Sequence, residues 1–176
     1  SNEVECDYIG IDITRLNAKL LISALGDAAH PRPPHDYIQA QDALSSGKIV
    51  VMGGVIPGQT TDAVSAILAE YLKADLLVIA TAVDGVYTAD PREHPDAVKY
   101  ETMTAKELVN TVMVTEMKAG SKSPVDPLAA KIIERCNLET IVMDGSDAQN
   151  VLQVIMQEST RTEPLKKVHL GTRIKD

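Results

Sequence analysis

The sequence has no tryptophan, no phenylalanine and only five tyrosines in 176 residues. A core without large rings must be built from Leu, Ile, Val and Ala, and platforms of stacked aromatics for single-stranded nucleic acid are excluded. Basic residues are the minority sign, 17 against 25 acidic, for a net charge of −8. That balance argues against wrapping the phosphates of a long nucleic acid, whose usual footprint is a basic stripe. A local pocket for a small anion stays open. The two cysteines, Cys6 and Cys136, lie far apart and form no CxxC pair, so reduced thiols in a cytoplasmic protein are expected rather than a disulfide or metal cluster. The longest apolar run, about Leu76 to Val83, falls well short of the roughly 18 residues of a membrane-spanning helix. No signal peptide is expected, and no membrane partner.

What is present is an alternation. Ile13, Leu16, Leu20, Leu21 and Ala24 form a helical stripe that stops at Gly26, so this stripe is expected to face the core. His30-Pro31-Arg32-Pro33-Pro34 reads as extended chain. Asp36 caps a short helix ending near Gly47, and Lys48 to Met52 reads as a buried strand. Val64, Ile67, Leu68, Tyr71 and Leu72 recur at i, i+3, i+4, i+7, i+8, a helix. Leu76 to Val83 is apolar on both faces, as in a covered parallel strand. Asp84-Gly85 signals a tight turn into Val86-Tyr87-Thr88. Thr104 with Glu107 makes a capping box, and Asp126-Pro127 starts a helix whose buried stripe is Leu128, Ala129, Ile132, Ile133 and Cys136. Glu139 to Met143 is another strand, and Asp147 caps a helix through Ile155. Strand and helix in alternation predict an α/β fold: a mainly parallel open sheet with helices on both faces, three layers deep. In such sheets ligands gather at the carboxyl ends of strands, where loops lead into helices.

Two loops carry the chemistry. Gly53-Gly54-Val55-Ile56-Pro57-Gly58-Gln59-Thr60-Thr61-Asp62 joins a strand to a helix. It superficially fits a phosphate-binding GxxxxG loop, but Gln59 stands where the lysine of that motif would neutralise phosphates. Its glycines still permit close backbone approach, and the free N–H groups of the helix start favour an anion. Asp62 suits the helix dipole, yet beside a bound phosphate it would repel unless a lysine or metal-bound water intervened. The second loop runs from Thr81 through Ala82, Asp84, Tyr87 and Asp90 to Pro91. An aromatic wall at Tyr87 and an acceptor at Asp90 suit a purine nucleoside. Asp7 is expected just before the first helix as a cap or ligand acceptor, and Lys122 is a loop cation that could reach a phosphate. The histidines are scattered and carry no role.

Taken together these residues resemble the amino-acid-kinase superfamily, within it the archaeal type of uridylate (UMP) kinase. The likeness is carried by Asp7-Tyr8-Ile9-Gly10-Ile11, Thr14-Arg15, Asn17-Ala18, Met52-Gly53-Gly54, Pro57-Gly58 and Thr60-Thr61-Asp62-Ala63-Val64. It continues in Lys73-Ala74-Asp75-Leu76-Leu77, in Val83 to Pro91, and in Asp126-Pro127-Leu128-Ala129-Ala130-Lys131-Ile132-Ile133, spanning about residues 7 to 157. The resemblance implies transfer of the γ-phosphoryl of ATP to UMP, with Mg²⁺, by positioning and charge stabilisation. It places Asp7, Val55, Ile56, Pro57, Gly58, Gln59, Thr60 and Thr61 on UMP, and Thr81, Ala82, Tyr87 and Asp90 on ATP. Asp62 and Lys122 are then the catalytic residues, and no metal is held by the protein alone. Length and the lack of a clear linker suggest one domain over residues 1–176; the resemblance implies an acceptor-side part to about residue 60, an ATP-binding lobe over about 61–176, and a homo-oligomer, by family habit a hexamer.

The chain departs from the family pattern at Val55, Gln59 and Ala82, where Thr, His and Asn are usual. The family also carries a Gly-Gly-Ser loop and a Gly-Gly-Gly segment that would precede Ser1; without them this piece alone is expected to be inactive. Two alternatives stay open at this level: a kinase of the same fold with another small acceptor, and a nucleotide-binding module without turnover. Asp7 with Thr60-Thr61 favours a uridine-type acceptor over a simple carboxylate; ATP binding without turnover would favour the module.

Overall fold

The structure, a computed structural model, describes residues 2–116, 123–159 and 170–176. It divides into two compact units, Ser1–Leu72 and Lys73–Asp176. The division falls after the helix that follows the first glycine loop, so that helix belongs with the first unit.

The first unit opens with α1, Glu3–Leu25, whose N-cap Asn2 accepts the Glu5 N–H at 2.9 Å. The helix stops where expected, at Gly26 with φ +56°, whose N–H returns to the Ile22 carbonyl. Its orientation corrects the sequence reading. Ile11, Ala18 and Ile22 are buried, whereas Ile13, Leu16, Leu20 and Leu21 are 50–62% exposed. Asp7 lies inside α1, not ahead of it. The inward face is chosen by the glycine loop: it presents Asp7, Ile11, Thr14 and Arg15, the residues that touch Gly53, Gly54 and Gly58. These fall at i, i+4, i+7, i+8, one stripe of a helix.

After a 3-10 turn at Gly26–Ala28, Ala29 makes a single parallel bridge to Ile49. The expected strand at Lys48 to Met52 is therefore only this bridge, with the His30 N–H on the Ile49 carbonyl and the Ile49 N–H on the Ala28 carbonyl. Helix α2, Tyr37–Leu44, is capped by Asp36, as its sequence predicts. Helix α3, Thr61–Leu72, buries Ala63, Val64, Ala66 and Ala69. Its packed face is thus shifted toward the alanines, and Tyr71 of the expected stripe is 44% exposed.

The second unit holds a four-stranded sheet, built from β1 (Leu77–Thr81), β2 (Thr102–Met103), β3 (Thr140–Asp144) and β4 (Thr172–Ile174), in the order β1-β3-β4-β2. Pairs β1/β3 and β2/β4 are parallel, while β3/β4 is antiparallel. The sheet is mixed and mostly parallel, as the alternation implies. Helices α4 (Ala105–Glu116), α5 (Pro127–Cys136) and α6 (Ala148–Ser159) complete the unit. Their starts obey their caps. Thr104 Oγ1 accepts the Glu107 N–H while Glu107 Oε2 accepts the Thr104 N–H at 2.7 Å, and Asp126 Oδ1 accepts the Ala129 N–H at 3.0 Å. Helix α5 buries Ala129, Ala130, Ile132 and Ile133; Leu128 of the expected stripe is 44% exposed. Ile141, Met143 and Val154 form one core cluster against Leu76, Val78, Val151 and Leu170. No helix among the described residues is long and apolar enough to cross a membrane.

The chain bends at 82–85, where Asp84-Gly85 predicts a turn, and a hairpin lies beyond it. Val86–Thr88 returns against Val98–Tyr100 across a longer loop: Thr88 N–H donates to Val98 O, Tyr100 N–H donates to Val86 O, and Tyr87 bridges Lys99 antiparallel. Gly85, at φ +153°, is also a point of close approach. A Cβ there would lie 2.6 Å from Thr172 Oγ1.

Candidate functional site

In the first unit the glycine loop is gripped by α1. The Gly54 N–H donates to Thr14 Oγ1 at 2.8 Å, and Arg15 Nε donates to Gly54 O at 3.2 Å. The Thr14 hydroxyl in turn donates to Ile11 O at 2.7 Å. Gly53 is glycine because nothing larger fits: a Cβ would sit 2.7 Å from the Arg15 backbone nitrogen. Further along, the Gly58 N–H donates to Asp7 Oδ2 at 2.8 Å, and Tyr37 Oη donates to Gln59 Oε1 at 3.2 Å. Gly58 has φ +78° and open space around it, so its glycine serves the turn. Burial raises the Tyr37 phenol above its ordinary range. Thr60 caps α3, its hydroxyl accepting the Ala63 N–H at 3.1 Å, and Thr61 and Asp62 occupy the first turn. Asp7, Val55 to Thr61 and Asp62 are thus gathered in one unit, around a loop that ends on a helix N-terminus.

In the second unit, Thr81, Ala82, Tyr87 and Asp90 line one cavity of about 240 Å³, shared with Val83, Arg92, Thr111, Thr115 and Pro124. One carboxylate, Asp90, lines its wall, and a second, Asp84, braces the wall from behind Tyr87. Asp90, whose side chain is 8% exposed, accepts three N–H groups from Arg92: backbone N at 2.9 Å and Nε at 3.1 Å on Oδ1, and Nη2 at 2.8 Å on Oδ2. A carboxylate offers about four lone-pair sites, so the remaining one lies on Oδ2. The Arg92 hydrogen bonds hold the Asp90 carboxyl below its ordinary range. Asp84 accepts the Tyr87 hydroxyl at 2.7 Å on Oδ1 and Lys99 Nζ at 3.0 Å on Oδ2. Lys122 lies outside the described residues.

The sequence reading gives no site role to Arg92, Lys99, Thr111 and Thr115, and takes Thr14-Arg15 only as part of the family likeness. The threonines sit at i, i+4 on α4, and Arg92 is two residues from Asp90; both spacings were there to be read. Lys99 had no local signal, since only the hairpin brings it opposite Tyr87.

The chain belongs to the amino acid kinase family, whose sequence model matches residues 1–144. It is 71% identical over 174 residues to the uridylate kinase of Methanococcoides burtonii, an alignment covering 99% of this chain and 74% of that protein. It is 61% identical over 165 residues to the uridylate kinase of Methanosarcina mazei, covering 94% and 71%. Among solved structures, the uridylate kinase from Archaeoglobus fulgidus superposes with a TM-score of 0.80 at 42% identity, covering 99% of this chain and 73% of that one.

Proposed function

We propose that the chain is a uridylate kinase, transferring the γ-phosphoryl group of ATP to UMP to give UDP in the cytoplasm. The observation that carries this reading is the Asp7–Gly58 contact in a chain with 71% identity to a uridylate kinase. That contact ties an acceptor carboxylate to a glycine loop running straight into a helix N-terminus. Such an arrangement suits a nucleoside monophosphate at both ends. The Asp7 carboxylate accepts from uridine or ribose donors, and the N–H groups opening α3 face the phosphate. Val55 to Thr61 lie along it, with the Thr60 hydroxyl still able to donate. Asp62, in the first turn of α3, and Lys122, outside the described residues, are the two groups this reading assigns to charge compensation during in-line transfer.

The cavity of the second unit takes the ATP nucleoside, with Tyr87 as apolar wall and Asp90 Oδ2 as acceptor. The Ala82 side chain supplies no polar group there. Among the described residues, no three His, Cys, Asp or Glu side chains gather at metal distance. The Mg²⁺ this reading calls for would supply charge neutralisation on the transferring phosphates.

A coupled assay of ADP release by the full-length protein, with ATP-Mg²⁺ and a panel of acceptors, tests the reaction: the expected result is release that depends on UMP. Release with another acceptor and none with UMP would reassign the substrate, and binding of ATP with no turnover would favour a binding module. Asp7→Ala should weaken UMP binding by about 1.5–3 kcal/mol, the scale of a hydrogen bond to a charged group, with ATP binding unchanged. We also propose a homo-oligomer, supported by the exposed apolar face of α1 at Tyr8, Ile9, Ile13, Leu16 and Leu20. Light scattering that reports a monomer at micromolar concentration would remove this part.

A further inference from the structure

Tyr87 is half-buried on the cavity wall, and its backbone is already fixed. The Val86 N–H donates at 2.8 Å to the buried Thr172 hydroxyl, which itself donates to Tyr100 O at 2.6 Å, and Tyr87 bridges Lys99 across the hairpin. What remains free is rotation of the Tyr87 side chain. Asp84 removes that freedom from three residues upstream, accepting the phenol proton at 2.7 Å. Lys99, directly across the bridge, puts its ammonium on the other oxygen of the same carboxylate at 3.0 Å. Paired residues on adjacent strands project to the same face, which is how Tyr87 and Lys99 reach one acceptor.

We propose that Asp84 is a positioning residue for nucleotide binding: it sets the Tyr87 ring against the bound base, and Lys99 pins Asp84 in turn. The proposal rests on the reading of this cavity as the ATP site. Asp84 itself has no need to touch the nucleotide. The ring is the wall, and the carboxylate sets its angle before the ligand arrives, which lowers the ordering cost of binding. The Tyr87 phenol is held above its ordinary range, first by the Asp84 hydrogen bond, so the contact has its own signature in solution.

The test is steady-state kinetics on the full-length protein with Asp84→Ala, Asp84→Asn, Lys99→Met, Tyr87→Phe and the double variant Asp84→Ala/Tyr87→Phe, alongside ultraviolet titration of the phenols. Asp84→Ala and Tyr87→Phe should each raise the KM for ATP by up to about tenfold, with kcat and the KM for UMP little changed. The double variant should be no worse than either single one, because both break the same contact. Asp84→Asn, which keeps an acceptor for the phenol, should recover part of the loss. Lys99→Met, which keeps the stem packed beside Gly85, should give a smaller rise. In the difference titration against Tyr87→Phe, Asp84→Ala should move the phenol back toward its ordinary range. Additive losses, or a shifted titration with an unchanged KM for ATP, would overturn the positioning role while leaving the cavity as the ATP site. Tyr87→Ala with an unchanged KM for ATP would remove the ATP reading itself, and the positioning role with it.

Discussion

The two units hold their candidate subsites in different ways. In the first, the Gly53-Gly54 end of the loop is fastened to α1 without a carboxylate, by the Gly54 N–H on the Thr14 hydroxyl, the Arg15 guanidinium on a backbone carbonyl and close contact at Gly53, and only the Gly58 end rests on one, Asp7. In the second, the cavity wall is set by carboxylates, with Asp84 shared between Tyr87 and Lys99, and Asp90 enclosed by Arg92. The difference separates tolerance to substitution from tolerance to solution conditions. A loop fitted by van der Waals contact fails when a side chain is added. A wall set by carboxylates keeps its packing but responds to protons and salt.

The largest effect is therefore expected in the first unit. Gly53→Ala places a methyl 2.7 Å from both the Arg15 backbone nitrogen and Thr14 Oγ1; the first is backbone and the second is held by the Gly54 N–H and the Ile11 carbonyl. Overpacking of this kind costs about 1–3 kcal/mol, and the upper end is expected because backbone must move. Chemical denaturation gives the number. A loss within error would show that α1 can slide away from the loop, and that contact does not govern this unit.

A somewhat smaller effect is expected at the base of the second unit's hairpin, where the comparison can be sharpened. Thr172 is fully buried and its hydroxyl serves both the Val86 N–H and the Tyr100 carbonyl. Thr172→Val keeps the shape and strands both partners, at about 1–3 kcal/mol for buried unsatisfied groups. If the carboxylates alone set this wall, the change would leave ATP binding intact. We expect stability and the KM for ATP to suffer together, because Thr172 fixes the backbone that Asp84 and Lys99 then refine.

Which of these features the sequence reveals depends on how local their causes are. Helix starts at Asp36, Thr104 and Asp126 are legible because a cap and its partner lie within three residues. The inward face of α1 is not legible. Its largest apolar residues suggest a core stripe, while the actual face includes Asp7, Thr14 and Arg15, selected by a loop some forty to fifty residues on. Strand β4 leaves no pattern at all. Three residues long, it exists through register with β3 and β2, and its Thr172 reaches a partner 86 positions away. For the candidate site the residue types in both glycine-bearing loops are readable, because turn and acceptor chemistry is local. The residues that orient them, Arg15 and Lys99, need the tertiary fold.

The smallest expected effect is the one that isolates charge. Partial burial alone would raise the Asp84 carboxyl, but the Tyr87 hydrogen bond and the Lys99 ammonium outweigh it and the net shift is downward from 3.8. A carboxylate lowered in the folded state contributes stability that is complete above its unfolded pKa and lost as pH falls through the folded one. Tyr87 is raised from 10.0, chiefly by the Asp84 hydrogen bond, so its contribution is complete below 10.0 and lost as pH rises through the raised value. The hairpin should therefore hold a plateau between those limits and loosen at both ends. With Asp84 54% exposed and Lys99 29%, solvent screening keeps the effect small. Amide-exchange protection at Thr88 and Tyr100, read where circular dichroism shows the chain still folded, should fall on either side of the plateau. Protection of the Gly54 amide, held by a threonine hydroxyl, should stay level over the same range. Parallel loss at all three amides would mean that the two units do not differ in this way, and that acid acts on the fold as a whole.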